Sequence, residues 1–386
     1  MSAPRFARTV IGELVNDSGP GAMNTFLLVA DLDNDGYQDV VLSGRNGKMA
    51  WFKNPGREGG AWQAYHMAEV SDMECGGVAF DLDGDGYKDV ILGGDYRSDE
   101  LRWWHNPGRP GAPWACHVIA RTGHRQMHDA IIGEVTGDGR PSLVFWNQHS
   151  GETDGATLYR LPLPDDPTIS PWPGLEVIAR EKREDGQPEE GLAIGDVDGD
   201  GQDELVAGTW WYKYRAGRWE EYKFAVPESG PGYLTTRLAI GDVNGDGRNE
   251  IVVSEGDPCI YGRPWGGRLA WFEPGEDVHG PWREHRLAEG LLDAHTCRLG
   301  DVCGNGHLDI FTAEIGTAGS YRERPPRLLV FENDGRGSFT RHVIDEGEGV
   351  HEAVLVDLRR RGVLDIVGRP LQGPNKWKLY AWYNEG

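Results

Sequence analysis

Residues 31–44 read DLDNDGYQDVVLSG, and residues 81–94 read DLDGDGYKDVILGG. Each stretch joins an acidic loop to a short β-branched run. Weaker copies begin at Glu134, Asp196, Asp242, Asp301 and Asp357, so that the seven copies follow one another at spacings of 50, 53, 62, 46, 59 and 56 residues. A sequence period near fifty residues indicates an array of similar units, each too small to bury its apolar face alone.

Every unit also contains four short apolar runs bounded by Gly, Asp and Pro. In the first unit these are FLLVA, DVVLSG, MAWFKNPG and AWQAYHMAE. Four strands in a unit of about fifty residues predict a propeller blade, whereas a β-sandwich needs about 100 residues. We therefore expect an all-β fold, a seven-bladed β-propeller of four-stranded antiparallel blades, with residues 1–386 forming a single domain.

The two ends of the chain predict how the ring closes. The N-terminal stretch RFARTVIGE has the pattern of a fourth strand, and the C-terminal stretch KLYAWYNEG has that of a third strand. We expect residues around Arg5–Gly12 to pair beside Lys378–Tyr383 and to complete the last blade. This closure would leave no exposed sheet edge at the seam.

Composition limits the partners and the compartment. A net charge of −23 argues against nucleic acid and anionic membrane surfaces. The five cysteines show neither zinc-knuckle nor CxxC spacing, so we expect no disulfide framework. The start MSAPRFARTVIG lacks the apolar stretch of a signal peptide. A complete chain would be cytoplasmic, and a chain that had lost its leader would be secreted or periplasmic.

The acidic loops predict calcium sites. The complete copies fit the pattern D-x-[DN]-x-[DN]-G-x-x-[DE], in which alternate side chains converge and Gly permits the turn, as in an EF-hand loop. An Asx-rich turn without an ion is the alternative. Blade 7 has Arg359 and Arg361 at ligand positions, and we expect a guanidinium to lie between Asp357 and Asp365 and to replace the ion with a salt bridge. The predicted calcium ligands are Asp31, Asp33, Asp35, Asp39, Asp81, Asp83, Asp85, Asp89, Asp196, Asp198, Asp200, Glu204, Asp242, Asn244, Asp246 and Glu250.

With these loops in every blade, the chain resembles the FG-GAP or VCBS-type repeat proteins over essentially its whole length. The resemblance implies a propeller whose blades carry D-x-D-x-D-G calcium loops. It does not imply one function, because such proteins include adhesion domains, lectin-like modules and sugar lyases.

A ring of polar residues is predicted at one mouth of the channel. The position six residues before each loop is occupied by Thr25, Cys75, His128, Glu190, Thr236, His295 and His351. Three of these seven are His in a chain with only 12. We predict His128, Glu190, His295 and His351 as catalytic residues. They would either bind a second divalent metal, Zn²⁺, Mn²⁺ or Fe²⁺, or act as acids and bases without one. Hydrogen-bonded structural histidines are the alternative.

The loops between second and third strands are expected to cover the same face. They combine aromatic side chains with Arg, His and acidic groups, which suits stacking on a sugar and hydrogen bonds to its hydroxyls. The predicted substrate-binding residues are Arg45, Tyr96, Arg97, Trp146, His149, Trp210, Glu255, Tyr261, Glu314, Tyr321, Arg322 and Arg369.

The chain also resembles the propeller region of aldos-2-ulose dehydratase and, more loosely, propeller polysaccharide lyases. This resemblance implies a carbon–oxygen lyase, a dehydratase or glycan lyase that performs metal-assisted β-elimination on a sugar or keto-sugar at the channel mouth. The expected partner is a sugar or an oligosaccharide. The alternative is a non-catalytic, calcium-stabilised propeller that binds a glycan or a protein.

Overall fold

The computed structural model describes residues 3–19, 21–58, 60–74, 76–149, 155–180, 190–316 and 324–386. Within these ranges the chain forms strands and turns, and none of it is a helix long and apolar enough to cross a membrane. The strands assemble into seven four-stranded antiparallel sheets, which confirms the predicted fold class.

The first four blades follow one another along the chain. Blade 1 contains β2 (Asn24–Ala30), β3 (Asp39–Gly44), β4 (Asn46–Lys53) and β5 (Gln63–Ser71). Blade 2 contains β6 (Val78–Phe80), β7 (Asp89–Gly93), β8 (Glu100–His105) and β9 (Ala115–Arg121). Blade 3 contains β10 (Met127–Gly133), β11 (Ser142–Asn147), β12 (Thr157–Pro162) and β13 (Glu176–Arg180). Blade 4 contains β14 (Leu192–Gly195), β15 (Glu204–Ala207), β16 (Trp210–Arg215) and β17 (Arg218–Lys223).

The last three blades include the strand that closes the ring. Blade 5 contains β18 (Thr236–Gly241), β19 (Glu250–Glu255), β20 (Gly267–Glu273) and β21 (Arg283–Leu291). Blade 6 contains β22 (Ala294–Gly300), β23 (Asp309–Glu314), β24 (Arg327–Asn333) and β25 (Phe339–Glu346). Blade 7 contains β26 (Glu352–Val356), β27 (Asp365–Arg369), β28 (Lys378–Asn384) and β1 (Phe6–Glu13).

The N-terminal strand completes blade 7, as its sequence pattern predicted. β1 runs antiparallel to β28, with Phe6 opposite Asn384 and Glu13 opposite Lys378. The first strands of the blades contact one another in the order β2, β6, β10, β14, β18, β22 and β26, and β26 returns to β2. The ring is therefore closed, and these seven strands line its channel.

The apolar core lies between neighbouring blades. Seven clusters of buried side chains each join the facing sheets of two adjacent blades. Between blades 1 and 2, for example, Trp51 and Val41 of one sheet pack with Trp104 and Leu92 of the next. Burial of a large side chain contributes about 1.5–3 kcal/mol, so each blade is stabilised mainly by its neighbours.

The last carboxylate of the acidic loop connects one blade to the next. Asp39 accepts hydrogen bonds from the backbone N–H of Leu32 and of Asn54, and the Asn54 side chain donates to the Leu358 carbonyl of the preceding blade at 2.9 Å. The same arrangement recurs for Asp89 with Asn106, Asp309 with Asn333 and Asp365 with Asn384. The repeated loop therefore secures blade-to-blade contacts through buried hydrogen bonds.

Candidate functional site

The inner strands bring the four predicted catalytic residues to one mouth of the channel. His128 and His295 lie at the starts of β10 and β22, and Glu190 and His351 directly precede β14 and β26. All four side chains are buried. Glu190 Oε1 lies 3.7 Å from His128 Nε2, and Glu190 Oε2 lies 3.5 Å from His295 Nε2. The His295 and His351 rings stack, with centroids 4.0 Å apart.

A bulge in β10 aims two consecutive side chains at this cluster. Pairing with β11 shifts between His128 and Ala130, and the residue between them, Asp129, has a φ of 48°. Consecutive side chains of a regular strand point to opposite faces, and a bulge removes that alternation. As a result Asp129 Oδ2 reaches the Nδ1 of the adjacent His128 at 3.1 Å.

Arg237 of β18 lies at the centre of the cluster. Its Nη1 donates to both carboxylate oxygens of Asp129 at 2.8 Å, and its Nη2 donates to Glu190 at 2.6 Å and contacts His295 Nε2. The guanidinium therefore joins blades 3, 4, 5 and 6 in one network. The sequence analysis did not single out Arg237, because its pairing with both oxygens of Asp129 depends on the bulge.

The charges of the cluster compensate one another. Burial alone would raise the pKa of Asp129 and of Glu190, but Arg237 and the protonated form of His128 lower both values. Burial and Arg237 lower the pKa of His295, but Asp257 and Glu190 overcome them and raise it. Asp129 and Glu190 are therefore ionised at neutral pH, and His295 is biased towards the imidazolium.

His351 has the opposite electrostatic environment. Burial and the nearby positive groups His295, Arg369 and Arg237 lower the pKa of His351 well below its usual value. Arg369 Nη2 donates to His351 Nδ1 at 3.1 Å. This hydrogen bond assigns the ring proton of the neutral imidazole to Nε2. Two stacked imidazoles thus have pKa values shifted in opposite directions, an arrangement associated with acid and base roles.

Asp257 is a member of the cluster that sequence reasoning did not single out. It follows β19, and its Oδ2 lies 3.3 Å from His295 Nε2. Its backbone N–H donates to the Thr235 hydroxyl at 2.8 Å. Asp257 lies in the β19–β20 loop, one of the loops that were expected to cover the site. Nothing in its spacing distinguishes it from the neighbouring acidic groups.

The cluster contains the types of ligand atom found in metal sites, but the Arg237 guanidinium already occupies the space beside them. Ligand atoms of His128, Glu190 and His295 lie within 4.8 Å of one another. Arg237 Nη2 is in contact with two of these three residues. A divalent cation there would face this fixed positive charge at contact distance. The residues present therefore do not fit the predicted second metal while Arg237 holds this position.

One predicted substrate-binding group lies on the surface of the same face. Tyr96 is 44% exposed, and the guanidinium carbons of Arg45 and Arg97 lie 5.4 and 5.0 Å from its ring centroid. Arg97 pairs with Asp95 at 2.7 Å, and Arg45 pairs with Glu74 at 2.6 Å. The result is an exposed aromatic ring between two anchored cations.

Most of the other predicted substrate-binding residues are buried beneath this face. Glu314 is fully buried and accepts hydrogen bonds from Arg324 and Arg327. Glu255 is buried and pairs with Arg263 and Arg268. Trp146, His149 and Arg369 are also buried, whereas Trp210 and Tyr261 are half-buried. Tyr321 and Arg322 lie outside the described residues.

The acidic loops present carboxylates towards a common centre. In blade 1, ligand atoms of Asp31, Asp33 and Asp39 lie within 4.8 Å of one another. Burial raises the pKa of Asp39 to about 7. In blade 5, burial and the neighbouring carboxylates raise the pKa of Glu250 to about 7. Among the described residues, these buried oxygens lack a hydrogen-bond donor: Asp31 Oδ1, Asp33 Oδ1, Asp81 Oδ1 and Asp198 Oδ1. An oxygen-rich, under-satisfied loop fits a hard cation.

In blade 4 a lysine reaches the last carboxylate of the loop as well as two earlier ones. Lys213 of β16 donates to Asp198 at 2.6 Å, to Asp200 at 2.7 Å and to Glu204 at 3.0 Å. All three ammonium hydrogens are thus used by loop carboxylates. Lys53 donates to Asp33 and Asp35 in blade 1, the counterparts of Asp198 and Asp200. Oxygens without a donor remain at Asp31 and Asp33 in blade 1 and at Asp198 in blade 4.

In blade 7 a guanidinium takes the place of an ion. Arg359 donates to Asp365 at 2.7 and 3.2 Å and to the Asn384 carbonyl at 2.6 Å. Asp357, the first loop residue, instead accepts backbone N–H groups from Arg361 and Gly362. The predicted arginine is therefore inside the loop, where it pairs with the last carboxylate and not with the first.

Known proteins match this chain mainly in fold. Residues 31–92 and 196–253 match the FG-GAP-like repeat. The solved structure of rhamnogalacturonan lyase YesW has a TM-score of 0.51 and 15% identity, and the match covers 97% of this chain and 75% of the lyase. The structure of BBS1N in complex with ARL6DN has a TM-score of 0.54 and 11% identity, covering 99% and 97%. No curated protein matches the chain in sequence.

The chain thus carries FG-GAP-like repeats in a seven-bladed propeller whose structural neighbours include a propeller rhamnogalacturonan lyase. At identities of 11–15% these neighbours establish the fold alone.

Proposed function

We propose that the protein is a carbohydrate-active enzyme that performs β-elimination on a sugar at the channel mouth. The observation that carries the proposal is the cluster in which a guanidinium, Arg237, contacts the imidazole of His295 and shares the carboxylates of Asp129 and Glu190 with a second imidazole, His128. A base, a positive group and an acid are the three components that this reaction requires. The propeller fold shared with a rhamnogalacturonan lyase supports the sugar as substrate class.

His128 is the proposed base. In the neutral imidazole, Nδ1–H donates a hydrogen bond to the Asp129 carboxylate, so the lone pair lies on Nε2. An imidazole oriented in this way by a carboxylate can accept a proton from substrate. In the proposed reaction Nε2 removes the proton α to a carbonyl or carboxyl group, and the electron pair of the broken C–H bond forms an enolate.

Arg237 is the proposed stabiliser of that enolate. Asp129 and Glu190 hold its guanidinium in a buried position where little reorganisation is needed during the reaction. Fixed positive groups in such sites stabilise developing negative charge more effectively than water does. Glu190 remains ionised and positions Arg237, so it does not serve as the acid.

His295 is the proposed acid. Its pKa is raised by Asp257 and Glu190. In the proposed acid form Nε2–H faces those carboxylates, and the contact of Arg237 Nη2 with Nε2 must loosen, because a guanidinium cannot accept a hydrogen bond. As the enolate collapses, the C–O bond at the β-carbon breaks and His295 protonates the leaving oxygen. His351 stays neutral, and its Nε2–H can donate a hydrogen bond to substrate.

The exposure of the cluster side chains indicates the side from which substrate would approach. The Asp129 side chain is 26% exposed, whereas those of His128, Glu190 and His295 are 3–8% exposed. Substrate would therefore enter from the Asp129 side. The exposed ring of Tyr96, flanked by Arg45 and Arg97 on the same face, would stack on a neighbouring sugar residue.

The test is direct. Wild type and the variants His128→Ala and His295→Ala are incubated with rhamnogalacturonan oligosaccharides and with keto-sugars, and the new double bond is followed by ultraviolet absorbance. We expect product with wild type and a loss of about 10²-fold or more in each variant. Full activity in both variants, or binding without product in wild type, would contradict the assignment.

The second candidate function is a binding propeller without chemistry. The observation in its favour is the fold shared with BBS1N, which was solved in complex with a protein partner, ARL6DN. Binding of oligosaccharide or protein without any elimination product in the same assays would favour this function.

We further propose that calcium stabilises the loops of blades 1, 2 and 5, and that Lys213 neutralises the loop of blade 4. The unsatisfied oxygens of Asp31, Asp33 and Asp81 and the raised pKa of Glu250 support the ion. At about 100 times its dissociation constant, calcium would contribute roughly 2.7 kcal/mol per site. Chelation is expected to lower Tm, and an unchanged Tm after confirmed calcium removal would contradict the proposal.

A further inference from the structure

A recess lies on the same face of the propeller as the histidine cluster, and the cluster residues do not line it. It is formed by the connection from blade 4 to blade 5 around Gly230, by the β19–β20 loop and by the end of β21. Its volume is about 200 Å³. Pockets for drug-sized ligands begin at roughly 300 Å³, so this recess suits one small ring and not an extended molecule.

Trp265 forms the open side of the recess. It is 47% exposed, and each of the other 14 tryptophans, all within the described residues, is buried or half-buried. An exposed indole face beside a recess offers a flat apolar surface on which the C–H face of a pyranose can stack.

The floor of the recess consists of guanidinium–carboxylate pairs held in fixed orientations. Arg268 is 8% exposed, lies 4.1 Å over the Tyr233 ring and pairs with Glu255 at 2.9 Å. Arg263 pairs with the other oxygen of Glu255 at 2.6 Å. Such planar pairs present donors and acceptors side by side, as vicinal hydroxyls require.

The wall formed by β21 repeats this pairing. Arg286 donates to Glu284 at 2.8 Å and to Glu289 at 2.6 Å. The recess is lined by three arginines, at 263, 268 and 286, and by two glutamates, at 255 and 289. Glu284, which does not line it, is a further partner of Arg286, so every guanidinium there is paired with a carboxylate. A neutral hydroxyl-bearing ligand meets both donors and acceptors there, whereas an anion would meet guanidinium groups that are already compensated.

One loop connects the recess to the histidine cluster. Asp257 contacts His295 at the start of the loop, and Trp265 stands at its end. Backbone hydrogen bonds fold the segment between them, from Arg263 N–H to the Pro258 carbonyl at 2.8 Å and from Gly266 N–H to the Arg263 carbonyl at 3.0 Å. The cluster and the recess are thus neighbouring parts of one face.

From these observations we propose that the Trp265 recess is a binding subsite for one neutral sugar residue of an oligosaccharide whose adjacent residue reaches the histidine cluster. The inference rests on the proposed function for the identity of that adjacent site. It adds a position at which the chain recognises hydroxyl groups and excludes a uronate or a sulfated sugar.

The test separates binding from chemistry. Isothermal titration calorimetry is performed with two probes, neutral galactan oligosaccharides and rhamnogalacturonan oligosaccharides, on wild type, Trp265→Ala, Trp265→Phe and His295→Ala. We expect Trp265→Ala to weaken binding about tenfold or more, because an exposed aromatic anchor is removed. Trp265→Phe should retain most of the affinity, and the loss caused by Trp265→Ala should persist in the His295→Ala background, where no elimination is expected. Val343→Ala, which removes an exposed apolar group on β25, is the control for surface effects.

Each outcome bears on one site. Loss of affinity in Trp265→Ala, with retention in Trp265→Phe and Val343→Ala, supports the subsite even if no elimination product forms. Equal affinity of wild type and Trp265→Ala for both probes would overturn the subsite, whether or not elimination is observed. Binding of neither probe by wild type, or tighter binding of purely acidic than of neutral oligosaccharides, would also overturn it.

Discussion

At the scale of single residues, the site depends on one backbone irregularity. The bulge at Asp129 aims its carboxylate at His128 and at Arg237 together. Without that bulge, Asp129 would point away from His128, because neighbouring side chains on a regular strand alternate. The carboxylate thus orients the proposed base and anchors the proposed enolate stabiliser at the same time.

This arrangement predicts the effect of Asp129→Asn. The amide keeps the size of the side chain but loses the charge that orients the His128 tautomer and holds Arg237. We expect kcat for sugar elimination to fall about 10²-fold with KM changed much less, measured by ultraviolet absorbance of the product. Asp166→Asn, in an exposed turn of blade 3, is the matched control. A fall in Tm that accounts for the lost rate would argue against the catalytic role.

At the scale of elements, the acidic loop and the end of the third strand act together. The equivalent residue on the third strand, one position after the partner of the second-strand residue that follows the loop, is Lys53 in blade 1, His105 in blade 2, Lys213 in blade 4 and Glu273 in blade 5. Lys213 directs its charge into the loop, whereas Glu273 turns outward to His285 at 2.8 Å. One position therefore determines whether a loop carries an internal cation.

Substitution of Lys213 tests this assignment. Burial lowers the pKa of Lys213, but Asp198, Asp200 and Glu204 raise it above its usual value, so the ammonium is charged in the loop. Lys213→Met would leave those carboxylates uncompensated and open to a hard cation. We expect the calcium content measured by metal analysis to rise by about one ion per chain and Tm in chelator to fall. An unchanged calcium content would refute the assignment of Lys213 as the internal cation of the loop. Lys223→Met, on the outer strand of the same blade, is the control.

At the scale of the whole molecule, closure of the ring joins residues from opposite ends of the chain. β1 supplies the outer strand of blade 7, and its Ile11 is fully buried in the cluster between blades 7 and 1. The Ile11 carbonyl also accepts a hydrogen bond from Trp62 N–H of blade 1 at 2.7 Å. The closing strand thus contacts two blades.

Deletion of residues 1–13 should therefore open the seam. The truncated chain loses the buried Ile11 and the ladder to β28, each of which stabilises the fold by a few kcal/mol in order of magnitude. We expect a fall of several degrees in Tm, measured by calorimetry and compared with a chain that lacks only residues 1–4. Equal Tm values for both truncations would mean that β1 is dispensable.

The sequence alone determined the number of blades, their four strands and the closure by β1. The blades and their strands are local features, because each unit repeats its own pattern of apolar runs, turn glycines and acidic loops within about fifty residues. Closure could be predicted because the two ends of the chain carry complementary fourth-strand and third-strand patterns. The same register also identified His128, Glu190, His295 and His351 as neighbours at one mouth, since equivalent positions on inner strands converge in a closed ring.

Only the tertiary structure decided what these residues do to one another. Arg237 meets Asp129 across 108 positions of sequence, and this contact follows from a bulge that no local pattern announces. The entry of Lys213 into its loop and the charge balance below Trp265 depend likewise on side-chain directions. The repeated pattern specifies the backbone path of each blade. The chemistry depends on contacts between side chains of different blades, which are distant in sequence.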